Sequence, residues 1–195
     1  MKNILLSTLF ILTVSFCYAQ GADRANDISP LLNGETIPNE TLVNSKNESI
    51  KLYSILEEKP TVLVFYRGGW CPYCNLQLGW LAQAEKEIIK LGFQIVAISP
   101  ESYENIEPTV SSNEIHYKVF SDPMGNLIKK MGIAFKLNEG TKQYISSKGP
   151  IADVLPVPSV MIVNARGEIL FEYINPNYKI RISKGLLLAA LNVLK

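Results

Sequence analysis

The sequence has few of the residues that metal centres and nucleic-acid surfaces require. Among 195 residues there is one histidine, His116, and there are three cysteines. A structural zinc site takes about four cysteine and histidine ligands, so this supply is too small. The lysines and arginines form no cluster, and nucleic-acid binding depends on clusters that displace phosphate counterions. We therefore expect no metal, no nucleic-acid partner and no bound cofactor.

The chain also lacks a hydrophobic run long enough for an ordinary membrane-spanning helix. The apolar stretch at residues 4–16 is shorter than the roughly 20 residues that a bilayer requires. A basic residue precedes it, and Ala19 follows it as a small residue at a plausible signal-peptidase site. We therefore expect residues 1–19 to be a removed signal peptide and the protein to be periplasmic or secreted. Cleavage there leaves a chain of nearly balanced charge whose only cysteines are Cys71 and Cys74.

The remaining length suits a single domain with a full hydrophobic core. Residues 20–29 are polar, and we expect them to be loose. Residues 30–195 are expected to form the domain, beginning with a turn-rich N-terminal extension up to residue 59. No internal repeat or low-complexity tract is visible.

The periodic part of the domain predicts an α/β architecture. A continuous β-branched and aromatic run at 61–66 is typical of a strand buried on both faces. Apolar residues then recur at helical spacing from Leu76 to Leu91, and a second apolar strand follows at 93–99, which together make a βαβ unit. Three later features complete the prediction: an insertion without clear period at 135–150, a β-hairpin formed by 159–164 and 169–174, and a last helix capped by Ser183.

The cysteine pair lies where the first strand has ended and the helix begins. Pro72 suits the first helical turn, which places Cys71 near the N-terminal cap and Cys74 one turn inside. Unpaired backbone N–H groups and the helix dipole would lower the pKa of Cys71 below that of a free thiol. We therefore predict that Cys71 is the nucleophile and that Cys74 resolves the product to a disulfide.

Other interpretations of this CxxC pair remain open from the residues alone. It could be an inert structural disulfide, although a two-residue loop constrains the unfolded chain only slightly. A metal knuckle would need further ligands that the chain does not supply. The chain could also be a non-enzymatic binding module. His116 is expected to lie at a surface or strand edge, and we assign it no role.

Three segments resemble a known family. The stretches "VLVFYRGGWCPYC", "IVAISPES" and "VPSVMIVNARGEILFEY" are similar to the thioredoxin superfamily, and within it to peroxiredoxin-like proteins of the alkyl hydroperoxide reductase and thiol-specific antioxidant (AhpC/TSA) family. The resemblance extends over about residues 30–194. It implies a thioredoxin-like fold, with a central mixed sheet flanked by helices and an N-terminal extension.

The resemblance also implies roles for residues outside the cysteine pair. Pro158 would be the cis-proline of this fold, beside the cysteines, and Val157 would offer backbone groups to an extended substrate. Trp70 would form part of the lip around Cys71. Arg67 could supply positive charge to the thiolate, although an exposed ion-pairing arginine is an equal alternative.

The sequence departs from the family pattern at several positions. Peroxiredoxins carry a proline and a threonine before the nucleophilic cysteine, where this chain has Val64 and Gly68. They also tend to carry an arginine at the start of a late strand, where this chain has the Pro158 segment. Thioredoxins carry a buried aspartate whose place here is Phe65. The sequence therefore does not identify the group that takes the proton from Cys74.

The expected function is that of a secreted thiol oxidoreductase. From sequence alone we favour thiol–disulfide exchange of the reductase type, acting on a protein or small-molecule disulfide. The alternative is a peroxiredoxin that reduces a hydroperoxide, with Cys71 peroxidatic and Cys74 resolving. Either activity needs an external thiol as electron donor.

Overall fold

The structure is a computed structural model that describes residues 21–146 and 152–195. The predicted signal peptide, residues 1–19, lies outside the described residues. The strands are β1 (Thr41–Val43), β2 (Ser49–Lys51), β3 (Thr61–Phe65), β4 (Gln94–Ser99), β5 (Lys118–Ser121), β6 (Ala134–Lys136), β7 (Val154–Pro156), β8 (Ser159–Val163) and β9 (Ile169–Ile174). The helices are α1 (Leu52–Leu56), α2 (Pro72–Lys90), α3 (Ile106–Ser112), α4 (Asn126–Lys130), α5 (Glu139–Ser146) and α6 (Lys184–Leu194), with short 3-10 turns at Ala25–Asp27 and Tyr103–Asn105.

A seven-stranded mixed sheet organises the domain in the order β2-β1-β5-β4-β3-β8-β9. β4 runs parallel to both β3 and β5, whereas β8 is antiparallel to β3 and β9. Strands β6 and β7 pair separately as a two-stranded ribbon. This arrangement confirms the predicted α/β, thioredoxin-like fold.

Strand β3 lies at the centre because both of its faces are apolar. Val62 and Val64 pack into a core cluster with helices α2 and α6, while Leu63 and Phe65 pack into a second cluster with α1 and α4. Every residue of β3 is buried, which is the pattern expected of a strand covered on both faces. The end of β3, and the cysteine pair that follows, is therefore held from two sides.

Helix α2 confirms the predicted helix. In its first turns, however, the residues that face the core are not the ones that the apolar spacing indicates. Leu81, Ala84 and Ile88 are buried as predicted. Leu76 is 70% exposed, and Leu78 is buried instead. Cys74 shares the buried stripe with Leu78 and Leu81, so its side chain points into the core and not toward solvent.

The N-terminal part of the chain is more closely integrated than predicted. The segment 20–29 was expected to be loose, but Ala22 donates to Ala134 O (2.8 Å) and accepts from Lys136 N (2.8 Å). The turn-rich extension contributes β1 and β2 to the main sheet. At the other end of the chain the predicted N-cap is confirmed, because Ser183 accepts a hydrogen bond from Leu186 N. None of the helices within the described ranges is both long and apolar enough to cross a bilayer.

Candidate active site

The cysteine pair is placed by a tight turn between β3 and α2. Cys71 is the N-cap of α2, and Pro72 occupies the first helical position, both as predicted. The backbone N–H of Cys71 donates to Gly68 O (3.1 Å), and the carbonyl of Cys71 accepts from Cys74 N (3.0 Å) and Asn75 N (3.1 Å). The turn therefore fixes Cys71 at the helix start, where unpaired N–H groups stabilise a negative charge.

Gly68 is required at this turn for two reasons. Its φ of +147° lies in a region that residues with a side chain rarely adopt. A Cβ at this position would also collide with the indole nitrogen of Trp70 and lie 2.8 Å from Oε1 of Glu101. The threonine that the family pattern would place here has no room, because Glu101 fills that space.

Both thiols are free and buried, and their pKa values diverge. The pKa of Cys71 falls to about 6, chiefly because the Cys74 side chain hydrogen-bonds to its sulfur. Burial opposes this shift, while the Cys74 backbone and the positive charges of Arg67 and Arg181 add to it. Burial and the neighbouring Cys71 raise the pKa of Cys74 well above its usual range. This divergence supports the predicted order of attack, with Cys71 as nucleophile and Cys74 as a protonated partner.

Arg181 is a site residue that the sequence did not reveal. It lies in the loop before α6, and its Nη2 donates to Cys74 Sγ at 3.3 Å. Its Nη1 donates to Gln77 Oε1 (2.8 Å), and its Nε donates to the Tyr178 carbonyl (2.9 Å). The guanidinium therefore brings a positive charge to Cys74, and its attraction opposes the rise in the pKa of that thiol.

Arg67 and Trp70 lie beside Cys71, as the sequence predicted. The Arg67 guanidinium carbon is 5.0 Å from the centre of the Trp70 ring and 4.4 Å from that of Tyr178. Tyr178 meets Tyr73 edge to face at 5.7 Å, and Trp70 meets Tyr144 in the same way at 6.4 Å. These five side chains pack against one another beside Cys71.

The same side chains border a cavity of about 560 Å³ that includes Cys71 in its lining. The α5 segment, which lies inside the insertion predicted at 135–150, closes one side with Gly140, Thr141 and Tyr144. Only 1% of the surface of Cys71 is accessible to solvent. A reactant must therefore be small at its reacting end to reach the sulfur.

Glu101 is a second residue that the sequence did not reveal. It follows β4, is 4% exposed, and accepts a hydrogen bond from Gly69 N at 2.8 Å. Burial raises its pKa to about 7, against the opposing effect of hydrogen bonds from Gly69 and Ser99. The only sequence signal is an acidic residue two positions after an apolar strand, which usually indicates a solvated loop. Here the carboxyl group supports the Gly68–Gly69 turn that positions Cys71.

The predicted roles of Pro158 and Val157 are wrong. The described residues contain no cis peptide bond, so the bond before Pro158 is trans. Val157 is fully buried, its N–H donates to Ile133 O (2.8 Å), and its carbonyl accepts from Ser159 Oγ (2.8 Å). With both backbone groups occupied, Val157 has nothing to offer an extended substrate. Pro158 instead lines a separate cavity of about 220 Å³ with Arg67 and Tyr178.

His116 lies on the surface, beside Glu85 in a polar groove. Within the described part of the chain, no three histidine, cysteine or acidic side chains are arranged to hold a metal ion.

Comparison with known proteins places the chain among peroxiredoxin relatives. Residues 33–171 match the AhpC/TSA family model. The chain is 28% identical over 107 residues to a 1-Cys peroxiredoxin of Medicago truncatula, covering 51% of this chain and 49% of that protein. It is 29% identical over 101 residues to a thioredoxin-like protein of Haemophilus influenzae, covering 51% and 58%. The chain thus spans only about half the length of these relatives.

A solved structure has the same fold. Reduced Prx3 from Vibrio vulnificus in complex with H₂O₂ superposes with a TM-score of 0.71 at 16% sequence identity, covering 83% of this chain and 99% of that one.

The hydrogen bond from Cys74 is the main cause of the low pKa of Cys71, and titration of Cys71 tests this. Replacing Cys74 with Ala removes a hydrogen bond to a charged group, worth about 1.5–3 kcal/mol, and should raise the pKa of Cys71 by about 1–2 pH units. Ultraviolet thiolate absorbance against pH measures this directly. As a comparison, Arg181→Gln should shift the pKa in the same direction but less. An unchanged midpoint in Cys74→Ala would contradict the account of the pair.

Glu101 should make stability fall as the pH rises. Its pKa in the folded protein, about 7, exceeds the 4.5 that is usual for an exposed glutamate, so the folded state holds the proton more tightly than the unfolded chain. The resulting stabilisation is fully present below about pH 4.5 and is lost as the pH rises through about 7. Glu101→Gln keeps an acceptor for Gly69 and removes the titration. Its free energy of unfolding relative to wild type should rise by about 3 kcal/mol from pH 4.5 to pH 8.

Urea unfolding at both pH values measures this difference. Asp122 is the matched control, since it is another buried carboxyl whose pKa is raised, to about 6, but it caps α4 through Asn126 and Ile128. Asp122→Asn should also change the pH dependence of stability, but over a lower pH range than Glu101→Gln, because the folded-state pKa of Asp122 is about 6 and that of Glu101 about 7. If the free energy of unfolding changed equally with pH in Glu101→Gln and in wild type, the raised pKa of Glu101 would be contradicted.

Proposed function

Since the chain belongs to the AhpC/TSA family, we propose that it is a thiol peroxidase that reduces hydroperoxides and is regenerated by an external thiol. The observation that carries the proposal is the thiolate-forming Cys71 at the base of a cavity, hydrogen-bonded to a second thiol. Both sulfur atoms of the reaction are already neighbours. No cofactor is needed for this chemistry.

The first step forms a bond between Cys71 and oxygen. The Cys71 thiolate attacks the terminal oxygen of R–O–OH, the O–O bond breaks, and RO⁻ leaves. Cys71 becomes a sulfenic acid, and RO⁻ takes up the proton that Cys71 released when it ionised. The positive charges of Arg67 and Arg181 favour both the thiolate and the negative charge that develops on the leaving oxygen.

The second step uses Cys74. Cys74 loses its proton, its thiolate sulfur attacks the Cys71 sulfenic acid to form a disulfide, and the hydroxyl group leaves with that proton as water. Arg181 Nη2, at 3.3 Å from Cys74 Sγ, stabilises the thiolate through which this attack proceeds. An external dithiol then reduces the disulfide by exchange and is itself oxidised to a disulfide.

Peroxide reduction accounts for the site better than the reductase activity that we favoured from sequence. Cys71 is 1% exposed, which suits the narrow end of a hydroperoxide more than the disulfide of a folded protein. The backbone of Val157, which would receive an extended peptide, is already hydrogen-bonded. Thiol–disulfide exchange still has a part in the cycle, because the external thiol must reduce the Cys71–Cys74 disulfide.

Substitution of each cysteine tests the order of events. Cys71→Ser should abolish hydroperoxide consumption, because a hydroxyl is far less nucleophilic than a thiolate. Cys74→Ser should consume one equivalent of hydroperoxide and stop at the sulfenic acid, which dimedone labels and mass spectrometry assigns to Cys71. Labelling at Cys74 in Cys71→Ser, or equal turnover in both variants, would overturn the assignment.

We also propose that the protein is exported, on the evidence of residues 1–19. The expected mature N-terminus is Gln20. Amino-terminal sequencing of the protein isolated from its own cells measures this, and recovery of a chain beginning at Met1 would refute export by cleavage.

A further inference from the structure

We propose that Arg67 makes this enzyme selective for hydroperoxides that carry a carboxylate on a bulky apolar body. The inference rests on the proposed peroxidase function and concerns the same cavity. In addition to the peroxidase reaction, Arg67 is assigned as the residue that binds the carboxylate of the substrate, away from the reacting oxygen atoms.

The first support is the rigid placement of the Arg67 guanidinium. It is stacked against two aromatic rings, at 5.0 Å from Trp70 and 4.4 Å from Tyr178. Stacking restrains the flexible side chain and leaves the edge of the guanidinium plane for in-plane hydrogen bonds. A guanidinium held in this way loses little conformational entropy when it binds a planar anion.

The second support is that this guanidinium has no polar partner within the described residues. None of the ion pairs there includes Arg67, and its Nε is buried without a hydrogen-bond acceptor. Arg181, in contrast, uses three nitrogen atoms on Tyr178, Gln77 and Cys74. Arg67 is half-buried and lines the cavity, so a ligand carboxylate there would meet a guanidinium that no acidic side chain of the described residues neutralises.

The third support is the composition of the cavity. Among the described residues that line it, Arg67 and the Cys71 thiolate are the charged groups, and no aspartate or glutamate there pairs with Arg67. The rings of Trp70, Tyr73, Tyr144 and Tyr178 supply apolar surface around it. A volume of about 560 Å³ lies within the range of small-molecule sites. Hydrogen peroxide would leave most of this space unused, whereas an aryl or alkyl body would fill it.

The reaction itself is unchanged by the carboxylate. Cys71 still takes the terminal oxygen and becomes a sulfenic acid, and the remainder leaves as the corresponding hydroxy acid. The carboxylate stays ionised and paired with Arg67 throughout, and it neither gains nor loses electrons.

A matched pair of substrates tests the proposal. Cumene hydroperoxide and its para-carboxylate derivative share the same reacting centre and differ in one charge. With reduced wild-type protein, the second-order rate constant for Cys71 oxidation should be roughly tenfold greater for the carboxylate, as expected from one charge-assisted pair. In Arg67→Gln the ratio of the two rate constants should fall to about one, and Arg67→Lys should retain part of the preference.

The ratio is informative even though Arg67 also lowers the pKa of Cys71, because a change in the thiolate affects both substrates equally. Arg181→Gln is the matched control: it removes the other nearby cation, slows both reactions, and should keep the preference for the carboxylate. Higher ionic strength should reduce the preference in the wild-type protein, which tests the proposal without any variant.

The outcomes separate the two levels of the proposal. A ratio of about one in the wild type, with both hydroperoxides reduced, would overturn the role of Arg67 and leave the peroxidase function standing. A wild-type preference that persists in Arg67→Gln would also overturn it. Failure to reduce either hydroperoxide, or H₂O₂, would instead overturn the peroxidase function.

Discussion

The hydrogen bond between the two cysteine side chains is the interaction on which the site depends. It keeps Cys71 ionised near neutral pH, and it adds to the larger effect of burial in keeping Cys74 protonated and in place for the next step. Both effects arise from one geometry, in which Cys71 caps a helix and Cys74 lies one turn inside it. The sheet beneath holds this geometry, because β3 is buried on both faces and leads directly into the turn.

The surroundings of the pair replace the family pattern with a different set of groups. Gly68 stands where peroxiredoxins have threonine, and the buried carboxyl group of Glu101 fills the space and holds the turn through Gly69. Arg67 and Arg181 supply positive charge from two separate segments of the chain. In place of that hydroxyl and of the late-strand arginine, the site has the carboxyl group of Glu101, which hydrogen-bonds to the turn, and two guanidinium groups. Arg181 hydrogen-bonds to Cys74, whereas Arg67 acts on Cys71 through its charge.

Local sequence patterns predicted the secondary structure around the site. They did not predict the contacts between residues that are far apart along the chain. The strand at 61–65, the helix start at Cys71 and the Ser183 cap follow from hydrophobic period and capping preference. Arg181 lies 107 residues from Cys74 along the chain, and Glu101 lies 32 from Gly69, so no local pattern connects them to the pair. The roles of Val157 and Pro158 were carried over from thioredoxin-like proteins. They fail because Val157 is hydrogen-bonded to Ile133, next to the β6–β7 ribbon, and because the bond before Pro158 is trans.

The central claim is that the buried Cys71 thiolate reacts with an O–O bond in preference to a disulfide. Trp70, which borders the same cavity, provides a fluorescence signal for stopped-flow mixing of the reduced protein with a hydroperoxide or with a protein disulfide. The account predicts a fast phase that is linear in hydroperoxide concentration, far faster than free cysteine at the same pH, and a much slower reaction with the disulfide. A rapid reaction with the disulfide, together with a hydroperoxide rate no greater than that of free cysteine, would contradict it.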